Sequence, residues 1–265
     1  MSQSAAKELK SAWAEHPDYR IDFEPSARRV RVELGGETIA DSINMRLMLE
    51  TKHLPVYYFP RADVRMDRLE RSAHQTFCPF KGAATHYAPP GAAEPVAWSY
   101  EAPFDEVAEI EDYLAFYWDR VERWLEEDEE IFVHARDPYK RIDTIPSSRE
   151  VKVVVGGETV ATSSHAHFLF ETGLPTRYYM PREDVRLDLL RPSDKRSRCP
   201  YKGEAVYWSL EVGGKLHEDL VWSYPSPIPE TPKIKDLLCF FNEAVDEITV
   251  DGEVIPKVKT PWSRD

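Results

Sequence analysis

The sequence predicts a mainly β protein, of the α+β class, built from two tandem copies of one small antiparallel domain. An internal repeat is the first observation, since residues 20–22, Arg-Ile-Asp, recur as residues 141–143. The second is the alternation of apolar and charged side chains over residues 29–34, which ends in Gly-Gly and then resumes, as in a β-hairpin. The third is an apolar stripe with helical spacing at the end of each copy. We therefore expect the domains to span residues 1–130 and 131–265.

The repeat extends through most of both copies at one constant offset. The hairpin residues 35–38, Gly-Gly-Glu-Thr, recur as residues 156–159. The matched segments farther along are Tyr57-Tyr58 with Tyr178-Tyr179, Asp63-Val64-Arg65 with Asp184-Val185-Arg186, and Cys78-Pro79-Phe80-Lys81-Gly82 with Cys199-Pro200-Tyr201-Lys202-Gly203. The last motif slips, because residues 212–215, Val-Gly-Gly-Lys, add a longer hairpin turn to the second copy before Trp-Ser-Tyr returns. The spacing predicts two domains with equivalent strands.

Each copy is expected to close with an amphipathic helix. The first apolar stripe has the spacing of the buried face of a helix and consists of Val107, Ile110, Leu114, Tyr117, Val121 and Trp124. In the second copy, Thr231 is placed as an N-cap with Pro232 at the first helical position. The apolar positions that follow are Ile234, Leu237, Leu238, Phe241 and Val245. A further short amphipathic helix before the first copy is predicted from Leu9, Ala12 and Trp13.

Composition narrows the possible partners. The 265 residues carry a formal net charge of −13 with no basic block, which argues against binding to a nucleic-acid backbone. No apolar run approaches the length that spans a membrane, and the first residues lack a signal-peptide core, so we expect a cytoplasmic protein without a membrane partner. The three cysteines are far apart and form no Cys-x-x-Cys pair, so neither a disulfide framework nor a structural zinc is expected.

The segment Cys-Pro-x-Lys-Gly is the sharpest local feature of each copy. Proline and glycine force a turn, and a lysine that folds back toward the cysteine favours thiolate over thiol. Cys78 with Lys81, and Cys199 with Lys202, are therefore candidate reactive pairs. The alternative is a half-buried cysteine in a tight turn with an exposed lysine. No histidine recurs at a fixed position beside either cysteine, so a Cys-His pair is not indicated.

The segment Asp-Val-Arg-x-Asp, if it forms a strand, places its charged residues on one face. Asp63 and Arg65 represent it in the first copy, and Asp184 and Arg186 in the second. One interpretation is a self-neutralising charge stripe. The other is a polar strip inside a cleft, in which Asp accepts hydrogen bonds from a ligand and Arg forks onto a carboxylate or phosphate.

Aromatic residues recur near both segments and are suited to line a flat-sided pocket in which rings stack on a ligand. They are Tyr57, Tyr58 and Trp98 in the first copy and Tyr178, Tyr179, Trp208, Trp222 and Tyr224 in the second. Aromatic residues on strands also form cores and cross-strand pairs, which is the alternative. His165 and His167 have the ligand spacing of a strand, but the pair does not recur in the first copy. Glu50 and Glu171 follow apolar runs as candidate buried acids without an assigned partner.

Together these motifs resemble a known family. Their order, Ala-Asp/Thr-Ser, Glu, Tyr-Tyr-x-Pro-Arg-x-Asp-Val, Cys-Pro-x-Lys-Gly-x-Ala and Trp-Ser-Tyr, is similar to that of the bacterial and fungal domain of unknown function 427 family, sometimes labelled nucleotidyltransferase-like. The resemblance starts near Pro17 and again near Pro138. It implies a β-tent-like fold, in which two antiparallel sheets meet at an angle, related in shape to zinc-bearing domains and to a ligand-binding domain with an aromatic cage. Copy two follows the pattern more closely over residues 202–208 than copy one does over residues 81–87.

Three functions agree with these residues. In the first, a small polar or anionic metabolite binds between aromatic walls where the three motif segments converge, and copy two is the more competent. In the second, the protein is an enzyme that uses the thiol of Cys199 or Cys78. A nucleotidyltransferase-like enzyme instead requires Mg²⁺, here on Asp184 and Asp188, although no Gly-rich phosphate loop accompanies them. The third is a purely structural duplication. We favour the first, with a small molecule as the partner.

Overall fold

The chain folds into two units, each of which carries one copy of the repeat. The computed structural model describes residues 10–260 and 263. Contacts divide the chain into Met1–Asp137 and Pro138–Asp265. The division lies a few residues after the expected boundary, because Glu129–Ile131 pairs with a strand of the first unit.

The first unit contains two antiparallel sheets. Its strands are β1 (Ile21–Pro25), β2 (Val30–Leu34), β3 (Glu37–Ser42), β4 (Arg46–Glu50), β5 (Val56–Pro60), β6 (Glu70–Cys78), β7 (Gly82–Ala88), β8 (Ala97–Ser99), β9 (Tyr113–Phe116), β10 (Arg123–Glu126) and β11 (Glu129–Ile131). The seven-stranded sheet has the order β1-β4-β5-β9-β8-β7-β6, and the four-stranded sheet has the order β11-β10-β2-β3. Short 3-10 turns lie at Trp13–Glu15, Arg61–Asp63, Met66–Arg68, Asp105–Ile110 and Trp118–Arg120.

The second unit repeats this arrangement. Its strands are β12 (Ile142–Pro146), β13 (Val151–Val155), β14 (Glu158–Ser163), β15 (His167–Glu171), β16 (Arg177–Met180), β17 (Leu190–Cys199), β18 (Gly203–Val212), β19 (Lys215–Ser223), β20 (Leu238–Phe240), β21 (Glu247–Val250) and β22 (Glu253–Val254). Its 3-10 turns are Arg182–Asp184, Leu187–Leu189 and Pro232–Ile234. The sheets have the orders β12-β15-β16-β20-β19-β18-β17 and β14-β13-β21-β22. Each sheet stays within one unit, so the predicted equivalence of the copies is confirmed.

The seven-stranded sheet has an apolar cluster on both faces. Its inner face packs against the four-stranded sheet in a central core that contains, in the first unit, Val30, Val32, Trp124, Tyr57, Phe59, Leu114 and Tyr87. Its outer face carries a second core that contains Phe23, Met48, Tyr58, Ala84, Tyr100, Val107, Ile110 and Ala115. Side chains alternate between the faces of a strand, so the adjacent residues Tyr57 and Tyr58 enter different cores.

The predicted Gly-Gly hairpins are confirmed in both units. β2 pairs with β3, and β13 pairs with β14, across the glycines. Gly35 and Gly36 have φ angles of 63° and 73°, which a two-residue hairpin turn of this kind requires. The Glu122 carboxylate accepts hydrogen bonds from both glycine N–H groups at 2.8 and 2.9 Å. The predicted longer turn of copy two is also present, because β18 and β19 pair as far as Val212 and Lys215.

The predicted closing helix of the first unit is wrong. Its apolar stripe is divided among the 3-10 turn Asp105–Ile110, strand β9 and strand β10. Strand β9 lies in the middle of the seven-stranded sheet, between β5 and β8, where strand pairing buries Leu114. Apolar residues spaced three or four apart also fit short strands separated by turns, which is why the spacing was misleading.

The same correction applies to the second unit. Thr231 does not cap a helix, because its hydroxyl donates to the carbonyl of Tyr201 at 3.3 Å. The chain makes one 3-10 turn at Pro232–Ile234 and then enters β20, which pairs with β16 and β19. Of the predicted stripe, Leu238 is buried in this central strand and Ile234 in the 3-10 turn, whereas Leu237 and Phe241 flank the strand and are half-buried.

Two further elements differ from the sequence prediction. The segment before the first copy forms the 3-10 turn Trp13–Glu15, while Leu9 lies outside the described residues. The Asp-Val-Arg-x-Asp segments are not strands: each consists of two 3-10 turns around a single β-bridge, Ala40 with Val64 and Ala161 with Val185.

Hydrophobic length gives a separate result. Over residues 10–260, no helix is long and apolar enough to cross a membrane.

The glycine of the Cys-Pro-x-Lys-Gly turn gives a test of the fold. Gly203 has a φ of +101°, and a Cβ there lies 3.1 Å from the carbonyl oxygen of Ser226. Gly213 has a φ of +55° and open space around its Cβ position. We expect Gly203→Ala to lower the free energy of unfolding of the second unit by roughly 3 kcal/mol and Gly213→Ala by about 1 kcal/mol. Hydrogen exchange of the β18 amides, measured at increasing urea concentrations, gives the free energy of unfolding of both variants. An equal loss of stability in the two variants would contradict this turn geometry.

Candidate functional site

The second tyrosine of each Tyr-Tyr pair meets the Trp-Ser-Tyr segment on the outer face of the seven-stranded sheet. The indole N–H of Trp98 donates to the hydroxyl oxygen of Tyr58 at 3.2 Å. Trp222 makes the same bond to Tyr179 at 3.1 Å. We call these residues, with the tyrosine and cysteine that pack beside them, the outer-face clusters; they are Tyr58, Cys78, Trp98 and Tyr100 in the first unit and Tyr179, Cys199, Trp222 and Tyr224 in the second.

The lysine of the Cys-Pro-x-Lys-Gly turn binds a buried carboxylate. Lys81 pairs with Glu50, and both side chains are more than nine-tenths buried. Lys202 pairs with Glu171 at 2.5 Å in the same way. Each lysine therefore neutralises an internal acid, which supplies the partner that the sequence could not assign to Glu50 and Glu171. The constant offset between the copies was a signal for this pair, since both members recur.

The buried glutamate has a second polar partner besides the lysine, and this partner differs between the units. In the first, the Tyr19 hydroxyl donates to Glu50 at 2.6 Å. In the second, the equivalent residue is Lys140, whose ammonium lies 3.4 Å from Glu171. The second unit therefore has one more positive charge at this place than the first.

The candidate nucleophiles Cys78 and Cys199 are half-buried free thiols. Cys78 packs against the aromatic rings of its outer-face cluster, which include Tyr58. Cys199 lies close to Tyr179 and Tyr224 in the second cluster. Within the described part of the chain, neither thiol hydrogen-bonds to a base. Among the same residues, no three His, Cys, Asp or Glu side chains are grouped to hold a metal ion.

The charged residues of the Asp-Val-Arg-x-Asp segments lie elsewhere. Asp184 accepts a hydrogen bond from the Ser163 hydroxyl at 2.6 Å, and Arg186 forms a two-pronged ion pair with Asp188 at 2.7 and 2.8 Å on the surface. The hydrogen bond from Arg186 lowers the pKa of Asp188. Asp63 and Arg65 repeat these contacts with Ser42 and Asp67 in the first unit.

The first tyrosine of each pair is also separate from the outer-face clusters. Tyr57 and Tyr178 belong to the central cores on the opposite face of the sheet. The Tyr57 hydroxyl donates to the carboxylate of Glu126 at 2.6 Å. The structure thus brings together the second tyrosine, the cysteine turn and the Trp-Ser-Tyr segment. The Asp-Val-Arg-x-Asp segment and the first tyrosine lie outside these clusters.

Sequence analysis missed the arginine of the Pro-Arg dipeptide, Arg61 in the first unit. Its guanidinium donates to the Tyr87 hydroxyl at 3.0 Å, to the Ser99 hydroxyl at 2.9 Å and to the Glu101 carboxylate at 3.4 Å. Its central carbon lies 5.4 Å from the centre of the Tyr87 ring. Glu101 also accepts from Arg71 at 2.8 Å. We call these residues the Arg61 network.

The charge of Glu101 is stabilised within this network. Burial alone raises the pKa of its carboxyl, but the hydrogen bond from Tyr87 and the positive charge of Arg71 outweigh it. The pKa of Glu101 therefore lies below its ordinary value. Glu101 is thus held in its charged form beside the Arg61 guanidinium.

The second unit keeps the arginine and loses its acceptors. Arg182 stands at the position of Arg61, and its guanidinium carbon lies 5.5 Å from the centre of the Trp208 ring. This distance is almost that of Arg61 to Tyr87, so the two guanidinium groups have equivalent places on their sheets. Pro225 stands at the position of Glu101.

The Arg182 side chain is exposed, and its guanidinium makes no hydrogen bond or ion pair with any residue in the range 10–260; the backbone carbonyl accepts a hydrogen bond from the Val185 N–H at 3.2 Å. Trp208, which sequence analysis placed in the candidate pocket, is half-buried against the central core. We call Arg182 and Trp208 the Arg182 site. The signal in the sequence was the change from Ser-Tyr-Glu to Ser-Tyr-Pro at one retained motif.

The buried lysine and the surface arginine differ in their expected effects on stability. We expect Lys81→Met to destabilise the first unit by about 3–5 kcal/mol, because Glu50 is left as an uncompensated buried charge. Arg65→Ala removes an exposed ion pair that water and salt screen, so its effect on the free energy of unfolding should be much smaller than that of Lys81→Met. Hydrogen exchange of β4 and β7 in the full chain reads the first unit, and the double variant Lys81→Met with Glu50→Gln should recover most of the loss. Equal effects of Lys81→Met and Arg65→Ala would show that the pair is not buried.

Comparison with known proteins gives the family. The model described as "Domain of unknown function (DUF427)" matches residues 22–127 and 143–251, one segment in each unit. No curated protein matches the chain. The two segments together span most of the sequence and carry the outer-face clusters, the Arg61 network and the Arg182 site. The chain therefore belongs to the DUF427 family and contains two tandem copies of its domain.

Proposed function

We propose that this protein binds a small anionic ligand, and that the ligand is held in the second unit by the guanidinium of Arg182 against the ring of Trp208. One observation carries the proposal: Arg61 is paired with Glu101, whereas the guanidinium of the equivalent Arg182 has no acceptor among residues 10–260. A guanidinium beside an aromatic face recognises carboxylates and phosphates through paired hydrogen bonds. An external anion supplies the acceptor that the described part of the chain does not.

The charge of the whole chain makes this local arrangement significant. The formal net charge is −13, so an anion approaches the average surface against repulsion and binds where a cation is left unneutralised. Most arginines of the second unit are neutralised by their neighbours; Arg186 pairs with Asp188, Arg191 with Glu211 and Arg198 with Glu204. Arg196 has no acidic partner either, but its guanidinium donates to the backbone carbonyls of Ser193 and Lys195. Among the described residues of this unit, Arg182 is therefore the arginine whose guanidinium has neither an acid nor a carbonyl as acceptor.

The first unit has a supporting role in this proposal. Its Glu101 occupies the place of the ligand, so its Arg61 is closed to external anions. The two copies then differ in function while they share a fold, and the second copy is the binding one.

An NMR titration of the full chain tests this function. The probes are sodium acetate, sodium benzoate and potassium phosphate at constant ionic strength, and the readout is the indole N–H resonance of Trp208. We expect a saturable shift with at least one probe. Arg182→Gln should weaken that binding roughly ten- to a hundredfold, since a hydrogen-bonded charge is lost.

The matched control is Arg186→Gln, which removes an arginine of the same unit that is already paired. It should leave the titration unchanged. A Trp208 resonance that no anion moves, or that responds equally in both variants, would contradict the proposed function.

A further inference from the structure

The surroundings of Arg182 differ from those of Arg61 in a consistent direction, and this difference indicates the class of ligand. On the strand next to Arg61, Tyr87 and Thr85 are polar, and Arg71 lies opposite Tyr87 in the neighbouring strand. These three residues donate hydrogen bonds to Glu101. The equivalent residues in the second unit are Trp208, Val206 and Pro192.

The three replacements lie together on one face of the sheet. Pro192 is the cross-strand partner of Trp208, and Val206 precedes Trp208 by two residues on β18. Direct partners and alternate residues of a strand share a face. This face therefore carries an indole, a pyrrolidine ring and an isopropyl group where the first unit carries hydroxyl and guanidinium donors.

The remaining cations on this face are already occupied. Arg196 is the cross-strand partner of Val206, and its guanidinium donates to the backbone carbonyls of Ser193 and Lys195 at 2.9 and 2.7 Å. Arg198 pairs with Glu204 at 3.0 Å. Arg196 keeps its charge, but its donor groups are taken by backbone carbonyls. Arg182, which lies against the Trp208 ring, is the cation of this face whose guanidinium has no acceptor among residues 10–260.

We infer that the ligand of the Arg182 site is a small monocarboxylic acid with an apolar body, and this inference rests on the proposed function. A monocarboxylate needs one counter-charge and fits the paired donors of a guanidinium. A phosphate monoester is mostly dianionic at neutral pH and has three strong acceptor oxygens, which one guanidinium on an apolar face leaves under-satisfied. The apolar body then covers Trp208, Val206 and Pro192 and removes their surface from water.

The first unit supplies the internal precedent for this geometry. There the carboxylate of Glu101 lies beside the arginine. The neighbouring residues that donate hydrogen bonds to Glu101 are polar, and the Glu101 side chain brings no apolar group that would cover this face of the sheet. The second unit has exchanged the internal carboxylate and its polar donors together. A ligand that carries both a carboxylate and an apolar group matches both changes.

Four small molecules separate the contributions of charge and apolar surface. The probes are benzoate, acetate, benzamide and phenyl phosphate, titrated at neutral pH into the full chain while the Trp208 indole resonance is followed. We expect benzoate to bind about tenfold or more tightly than acetate, because the ring is buried. Benzamide, with the same ring and no charge, should also bind about tenfold or more weakly than benzoate. Phenyl phosphate should be weaker than benzoate.

The controls distinguish failure of this inference from failure of the proposed function. If phenyl phosphate or acetate binds at Trp208 as tightly as benzoate and Arg182→Gln abolishes that binding, the site takes anions but the monocarboxylic-acid inference is overturned. If no probe binds in an Arg182-dependent manner, both fail. Circular dichroism of Arg182→Gln should match that of the parent, since the side chain is exposed.

Discussion

A cation that is buried against the apolar face of a sheet requires an acceptor, and both units satisfy this requirement with a lysine–glutamate pair at the cysteine turn. The seven-stranded sheet has apolar cores on its two faces, so charged groups at its borders are removed from part of their water. Lys81 has Glu50 as its acceptor, and Lys202 has Glu171. The half-buried Arg61 has Glu101 as its acceptor. Arg182, at the equivalent position, is exposed, and its guanidinium has no acceptor among residues 10–260; the proposed function follows from that difference.

The duplication explains how such a difference persists without loss of the fold. The lysine pair, the glycine at left-handed φ and the tyrosine-tryptophan hydrogen bond are kept in both copies, since each supports packing of the sheet. Glu101 and its neighbours lie at the edge of the packed region, where an exchange of polar for apolar residues leaves strand pairing intact. The two copies thus share a fold although Arg61 is paired with Glu101 and the equivalent Arg182 has Pro225 at the position of that glutamate.

Much of the fold followed from the sequence, because strand alternation and Gly-Gly turns depend on neighbouring residues. The hairpins, the repeat and the longer turn at residues 212–215 belong to this class. The closing helices did not, because whether Leu114 or Leu238 is buried by a helix or by a strand depends on partners far along the chain. Apolar spacing of three or four does not distinguish the two.

The candidate site was predictable to a similar extent. Tyr179 and Trp222 pack in one cluster with Cys199 close to Tyr179, whereas Asp184 and Arg186, which were expected in the same cleft, lie elsewhere. The role of Lys202 depended on a glutamate in another strand, and the importance of Arg182 depended on comparing the copies where they differ. Arg186 carries the same charge as Arg182, yet its partner Asp188 is two residues away and neutralises it locally.

The most direct test of the central claim is to return the missing carboxylate to the second unit. Pro225→Glu places a carboxylate at the position of Glu101, and Pro225→Gln is the neutral control of similar size. We expect the Nε–H of Arg182 to be protected from exchange with water in the glutamate variant alone, and benzoate binding at Trp208 to be lost with it. Unchanged exchange and unchanged binding in Pro225→Glu would contradict the account.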